Sequence, residues 1–285
     1  MPRSAFLNNT QIALDILRGI WLLHDADALL PYALRSLERK TPDTSLSEYQ
    51  PTISTAADTL GSGASGSKKQ VLVLPIHTAL TKYDTCTTYG TADIAAQLVQ
   101  YASKKEIIGV VLDIDSPGGS SNAIMPLVNA IAQVKEMGKP VIAHVDFCAS
   151  AAMWVASQCD AIFMDNSLSE VGSIGAYATI YDNRHNLQTG ERLITVYADE
   201  SGDKNRGIRE ALDGKYDTVK ADLSRLVKDF HDAVKAGRPS LKADADGVLS
   251  GAMFRPAEAI KNGLADGMGS LDYCIENVFI RAEFK

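Results

Sequence analysis

Between residues 70 and 164 short apolar runs alternate with longer stretches in which apolar positions recur every three or four residues. That alternation predicts strands separated by helices. The runs over 70–76, 107–114, 140–145 and 161–164 predict strands, rich in Val, Ile and Leu as buried parallel strands are. Residues 91–103 and 121–137 carry helical spacing, the second ending at Gly138 and Pro140. Residues 150–157 predict a short helix, and 174–181 and 193–197 two further strands. A long amphipathic helix is expected over 208–236, with short helices over 256–262 and 271–279. Upstream, Ile12, Leu14, Ile16, Leu17, Ile20, Leu23, Leu29 and Leu30 fall at helical spacing, so residues 1–41 read as a helical leader. Thr, Ser, Pro and Gly dominate 42–69, ending in Gly61-Ser62-Gly63-Ala64-Ser65-Gly66-Ser67, the composition of a flexible linker. Residues 70–285 then form one α/β domain with much parallel pairing.

Composition narrows the class. The 285 residues are 46% hydrophobic and 22% charged, ordinary for a soluble globular protein able to bury a large core. A net charge of −7 argues against a nucleic-acid partner, because the basic residues between Lys204 and Lys242 alternate with acidic ones. Cys86, Cys148, Cys159 and Cys274 lack metal-ligand or CxxC spacing and fit a reduced, cytoplasmic compartment with no metal. The apolar stretch 12–30 is interrupted by Asp15, Arg18, His24, Asp25 and Asp27, too costly for a membrane span. Met1-Pro2-Arg3-Ser4 lacks a signal-peptide core, so no membrane association is expected.

Candidate chemistry centres on Ser150. A strand runs into Cys148-Ala149-Ser150-Ala151-Ala152-Met153-Trp154, where small residues surround one hydroxyl at an expected helix start. A sharp strand-to-helix turn exposes such a hydroxyl, and free amides at the helix start can bind an oxyanion. Upstream, a strand ends in Ser116-Pro117-Gly118-Gly119; downstream lies Val171-Gly172-Ser173-Ile174-Gly175. Cys148 as nucleophile is disfavoured because the motif places Ser150, two residues on, at the turn. The histidines His24, His77, His144, His185 and His231 lie where no Ser-His-Asp triad is expected.

These three motifs in this order resemble the signal peptide peptidase A family of serine peptidases, over roughly residues 70–270. The resemblance implies a ClpP/crotonase-type spiral of ββα units, with the helical leader before it and C-terminal helices after it, and a Ser-Lys dyad without cofactor. It implies Ser150 as nucleophile, and the amides of Gly119 and Ala151, with Gly118 as near alternative, as the oxyanion hole. Leu193-Ile194-Thr195-Val196-Tyr197-Ala198 leading to Glu200-Ser201-Gly202-Asp203-Lys204 matches the family's lysine segment, so Lys204 is the implied base and Ser173 the residue orienting its amine. Lys215 and Lys220 are the fallbacks, since Asn205-Arg206-Gly207 departs from the acidic or proline-containing residues that follow the lysine in relatives. Ala-Ser-Ala-Ala, where many relatives read Ser-Gly-Gly, and the leader around Leu17-Arg18-Gly19-Ile20-Trp21 resemble the phage-type branch. That branch implies capsid maturation in the host cytoplasm or prohead, with scaffold or capsid proteins as substrates and a homo-oligomer as the working form. Alternatives are a cellular peptide-trimming peptidase, a crotonase-fold acyl-CoA enzyme using Glu170, and an inactive assembly protein.

Overall fold

The computed structural model describes residues 21–23, 51–55, 69–84, 88–180, 182 and 194–284. The strands are β1 (Trp21–Leu23), β2 (Thr52–Thr55), β3 (Gln70–His77), β4 (Ile107–Ser116), β5 (Gly118–Ser120), β6 (Val141–Ala149), β7 (Ala161–Met164), β8 (Glu170–Gly172), β9 (Met253–Phe254) and β10 (Gly267–Met268). The helices are α1 (Thr91–Ala102), α2 (Ile124–Glu136), α3 (Ala151–Ala156), α4 (Arg206–Leu212), α5 (Asp217–Gly237), α6 (Pro256–Lys261) and α7 (Leu271–Glu283).

The main sheet runs β10-β7-β6-β4-β3-β2, parallel throughout except for the β2–β3 edge. Side-chain alternation along the strands feeds two cores. Leu72, Leu74, Ile76, Leu112, Ala143 and Val145 face the layer carrying α1 and α2. Val71, Val73, Val111, Ile142, Ala161 and Phe163 face α7, which contributes Cys274, Ile275, Val278 and Phe279. Both faces being covered explains why the strands read as continuous apolar runs. β6 changes partner along its length: Ile142–Val145 pair with β7, whereas Phe147, Cys148 and Ala149 pair with β8. A register shift between Ile114 and Asp115 of β4 accompanies this turn. The sheet thereby opens into a second layer at its C-terminal end, which gives the ClpP/crotonase-type spiral its counterpart here, and the α/β class expected from sequence is met.

Several boundaries differ from the sequence expectation. Trp21–Leu23 is a strand inside the stretch read as a helical leader, and Thr52–Thr55 a strand inside the stretch read as a linker; the remainder of 1–69 outside 51–55 and 69 lies beyond the described residues. Thr52-Ile53-Ser54-Thr55 carries the β-branched residues that suit an edge strand. The long helix expected over 208–236 is two helices, broken where Gly214 takes φ +79 and closes α4 as a left-handed cap. Residues 174–180 and 194–198 form no strand of a sheet, and 183–193 lie outside the described residues.

Two polar constructions brace the scaffold. The Arg238 guanidinium, 4% exposed, donates to both Asp266 oxygens at 2.7 and 2.8 Å and to the Gly263 carbonyl at 3.1 Å, tying the end of α5 to the turn before β10. On the α7 face a row of imidazoles and carboxylates crosses the strands. Asp113 meets His77 Nε2 at 3.3 Å and His144 Nδ1 at 2.7 Å, and His144 Nε2 meets Asp165 at 3.0 Å.

Burial works against a charged His144, but its hydrogen bonds to Asp113 and Asp165 outweigh that and hold its pKa above the ordinary imidazole value. His77 is raised chiefly by its hydrogen bond to Asp113. Burial alone would raise Asp113; its hydrogen bonds from His144 and His77 instead hold it well below the usual carboxylate range. The raised histidines stabilise the fold below an ordinary imidazole pKa of about 6.5, and that contribution fades as pH rises through their folded values. The lowered carboxylates stabilise it above about 3.9, and that part is lost as pH falls. The row therefore contributes most between about pH 4 and 6.5. His144→Gln should destabilise by about 1–3 kcal/mol in that window and by clearly less at pH 9, read from denaturant midpoints. A difference that stays flat with pH would show that the imidazole carries no charge in the row.

Candidate active site

Ser150 stands where β6 hands over to α3, with backbone angles φ 56 and ψ −117 that a non-glycine residue adopts only under constraint. Strain of this kind costs roughly 1–3 kcal/mol and persists only where the surroundings dictate it. Here they do. The Ser150 amide donates to the Gly172 carbonyl at 2.8 Å, fixing the turn to β8, and the Trp154 amide closes the first turn of α3 on the Ser150 carbonyl at 3.0 Å. Trp154 stacks on Phe230 of α5 with ring centroids 4.8 Å apart, which locks α3 from behind. Ala151 and Ala152 are buried, so side chains larger than methyl would not fit beside the hydroxyl.

The Ser150 hydroxyl is 1% exposed as a residue, and its hydrogen bond among the described residues is a long one, 3.5 Å, to the Gly175 carbonyl. It is held, but weakly, as a group awaiting another partner would be. Ser173, after β8, has φ 51, and its amide donates to the Ala252 carbonyl at 2.8 Å. Gly172 has φ +134, and a Cβ there would lie 2.3 Å from the Ala252 oxygen, so only glycine fits. Two serines with positive φ thus follow the ends of two paired strands, Ser150 after β6 and Ser173 after β8.

β5 packs against α3 and brings Gly118 and Gly119 to the same region. Gly118, at φ 94, has its carbonyl bonded by the Leu80 amide at 2.7 Å, and the Ser120 amide donates to the Leu80 carbonyl at 2.9 Å. A Cβ on Gly119 would stand 2.0 Å from the Leu80 oxygen, which makes glycine obligatory there. Ser116 Oγ donates to the Thr78 carbonyl at 2.6 Å and lies 3.3 Å from the Gly118 amide, holding the turn. Ser116, Leu80, Ala252 and Gly175 were not singled out by the sequence. Ser116 had a signal in its place beside Pro117-Gly118-Gly119; the other three act through backbone atoms, which no residue type announces.

Lys204 lies on the surface, in the turn before α4, its amide bonded to the Ser201 carbonyl at 3.1 Å. Lys215 and Lys220 are exposed as well. The single chain therefore assembles Ser150 with Gly118, Gly119, Ala151 and the Ser173 turn, and leaves each candidate lysine in solvent. Cys148, buried beneath the turn, has its thiol pKa pushed far up by burial, so it holds its proton and is no nucleophile. His144 lies six residues before Ser150 on β6, roughly 20 Å away along an extended strand, and is engaged by two carboxylates. Glu170 pairs with Arg255 at 3.6 Å at the edge of β8. Among the described residues no helix is long and apolar enough to cross a membrane.

Known proteins bear on this geometry. Protease 4 of Haemophilus influenzae is 26% identical over 191 residues, covering 65% of this chain and 30% of its own length. The head-tail preconnector protein GP5 of Enterobacteria phage P21 is 28% identical over 186 residues, 62% of this chain and 35% of that protein. The chain thus spans about a third of the length of these relatives. Among solved structures, a mutant of the 1510-N membrane-bound stomatin-specific protease aligns with TM-score 0.46 and 18% identity over 74% of this chain and 83% of that one. The sequence profile of peptidase family S49 matches residues 133–285, from the second half of α2 through Ser150, β8, Lys204 and the C-terminal helices. The chain belongs to peptidase family S49.

Proposed function

We propose that the protein is a serine endopeptidase with Ser150 as nucleophile and Lys204 as general base. The observation that carries this reading is the strained Ser150 backbone at the strand-to-helix turn, with its hydroxyl buried and weakly bonded. Ser150 Oγ attacks the peptide carbonyl while its proton passes to the lysine amine. The oxyanion is held by the amides of Gly119 and Ala151, two backbone donors positioned by β5 and α3. Collapse breaks the C–N bond, the amine leaves with the proton from the lysine, and water then cleaves the acyl-enzyme by the same route.

A lysine acts as base near neutral pH only after burial. Lowering its pKa from about 10.4 to 7–8 takes about 3–4 kcal/mol of desolvation or like-charge repulsion. Lys204 is exposed among the described residues, so its amine needs a further cover. A neighbouring protomer supplies one: the dyad forms between the serine of one subunit and the lysine of the next, with Ser173 orienting the amine. The homo-oligomer is then the active form. The phage relative, a head-tail preconnector protein, and the Ala-Ser-Ala-Ala variant support capsid maturation, with scaffold or capsid protein as substrate.

Ser150→Ala should lower peptide hydrolysis by at least about 10³-fold and leave the far-ultraviolet spectrum unchanged. Ser150→Gly should be equally inactive yet more stable than Ser150→Ala by about 1 kcal/mol, because glycine adopts this backbone conformation without strain. Equal stability of the two would remove the strain argument. Lys204→Ala and Lys204→Arg should both be inactive, since arginine keeps its proton; an active Lys204→Ala beside an inactive Lys215→Ala would move the base to Lys215. Mixing Ser150→Ala with Lys204→Ala subunits under exchange should restore a fraction of activity. No recovery after verified exchange would place the dyad within one chain.

A further inference from the structure

The strand in front of the catalytic turn has an unusual partner. β1 pairs antiparallel with β5, with Trp21 opposite Ser120, Leu22 opposite Gly119 and Leu23 opposite Gly118. The other edge of β5 is occupied by Leu80, which takes the Gly118 carbonyl and the Ser120 amide. Along a strand, successive residues direct their amide and carbonyl to opposite edges. Gly118 and Ser120 direct theirs toward Leu80, so Gly119 directs its amide and carbonyl toward β1. In an antiparallel pair the facing residues with inward polar groups exchange both hydrogen bonds. The Leu22 carbonyl accordingly accepts from the Gly119 amide, and the Leu22 amide donates to the Gly119 carbonyl.

The Gly119 amide is the donor assigned above to the substrate's oxyanion. We infer that Trp21–Leu23 is a built-in pseudosubstrate: it occupies the peptide-binding edge of β5, and a substrate must displace it to reach Ser150. The inference rests on the peptidase reading for its functional meaning, and on strand register alone for its geometry. The substrate that displaces this strand is an extended peptide, added to β5 as an antiparallel strand with one carbonyl on Gly119. The arrangement leaves β5 with no open edge for stray strands while the leader is in place.

The test uses the full chain. Leu22→Pro removes the amide that bonds Gly119 and should release the strand; replacing Trp21, Leu22 and Leu23 together with glycine achieves the same through loss of strand preference. Either variant should label faster than wild type with a fluorophosphonate at Ser150 and should show a lower KM at similar kcat for a fluorogenic peptide. A synthetic peptide spanning residues 17–27 should compete in the Leu22→Pro chain and restore the wild-type rate. Hydrogen exchange at the Gly119 amide, measured in Ser150→Ala chains, should be protected with the native leader and fast with Leu22→Pro. That measurement needs no activity, so it separates the two readings. A protected Gly119 in a chain that never labels at Ser150 leaves the pairing intact and removes its inhibitory meaning, overturning the inference. A chain that hydrolyses peptide but shows an unprotected Gly119, or unchanged labelling in both leader variants, overturns it while the peptidase reading stands.

Discussion

The site depends on one hydrogen bond, from the Ser150 amide to the Gly172 carbonyl at 2.8 Å. It holds Ser150, the residue directly after β6, out of the extended region at the entry to α3. The bond exists because β6 has exchanged β7 for β8 by that point, and β8 stays in place because Gly172 and Ser173 clamp onto the Ala252 carbonyl behind it. α3 then begins one residue later with its axis fixed by the Trp154–Phe230 stack. Strain at Ser150 is thus sustained by contacts with β8, the Ala252 carbonyl and α5. This division between a strained centre and a well-packed support is how a marginally stable molecule keeps an unfavourable conformation.

Much of this was legible in the sequence, for particular reasons. Strands β3, β4, β6 and β7 are buried on both faces, so their apolar runs stand out and their positions were found to within a few residues. The small-residue cluster around Ser150 and the two glycines of β5 also announced themselves, because close backbone approach excludes every other side chain. What stayed hidden depends on backbone partners or on other molecules. The break at Gly214 splits a stretch whose amphipathic period continues across it, and only a left-handed cap interrupts it. Trp21–Leu23 has helical spacing in its neighbours yet pairs as a strand, because a free edge on β5 outweighs a local preference. Lys204 was placed by the order of motifs, but burial is a property of the assembled surface and has no signature in one chain.

The two cores also divide labour. The α1–α2 side is mainly apolar, whereas the α7 side includes the Asp113–His144–Asp165 row. A buried polar row of this kind holds strand register, since a slip of one residue would leave carboxylates facing no partner. It lies on the opposite layer from Ser150 and communicates with it only through β6.

Cys148 sits two residues before Ser150, buried completely, with burial pushing its thiol pKa far up. Oxidants and electrophiles act on thiolates, so this sulfur offers them little purchase. A thiol set directly behind the proposed nucleophile is thereby kept out of cysteine chemistry by packing alone.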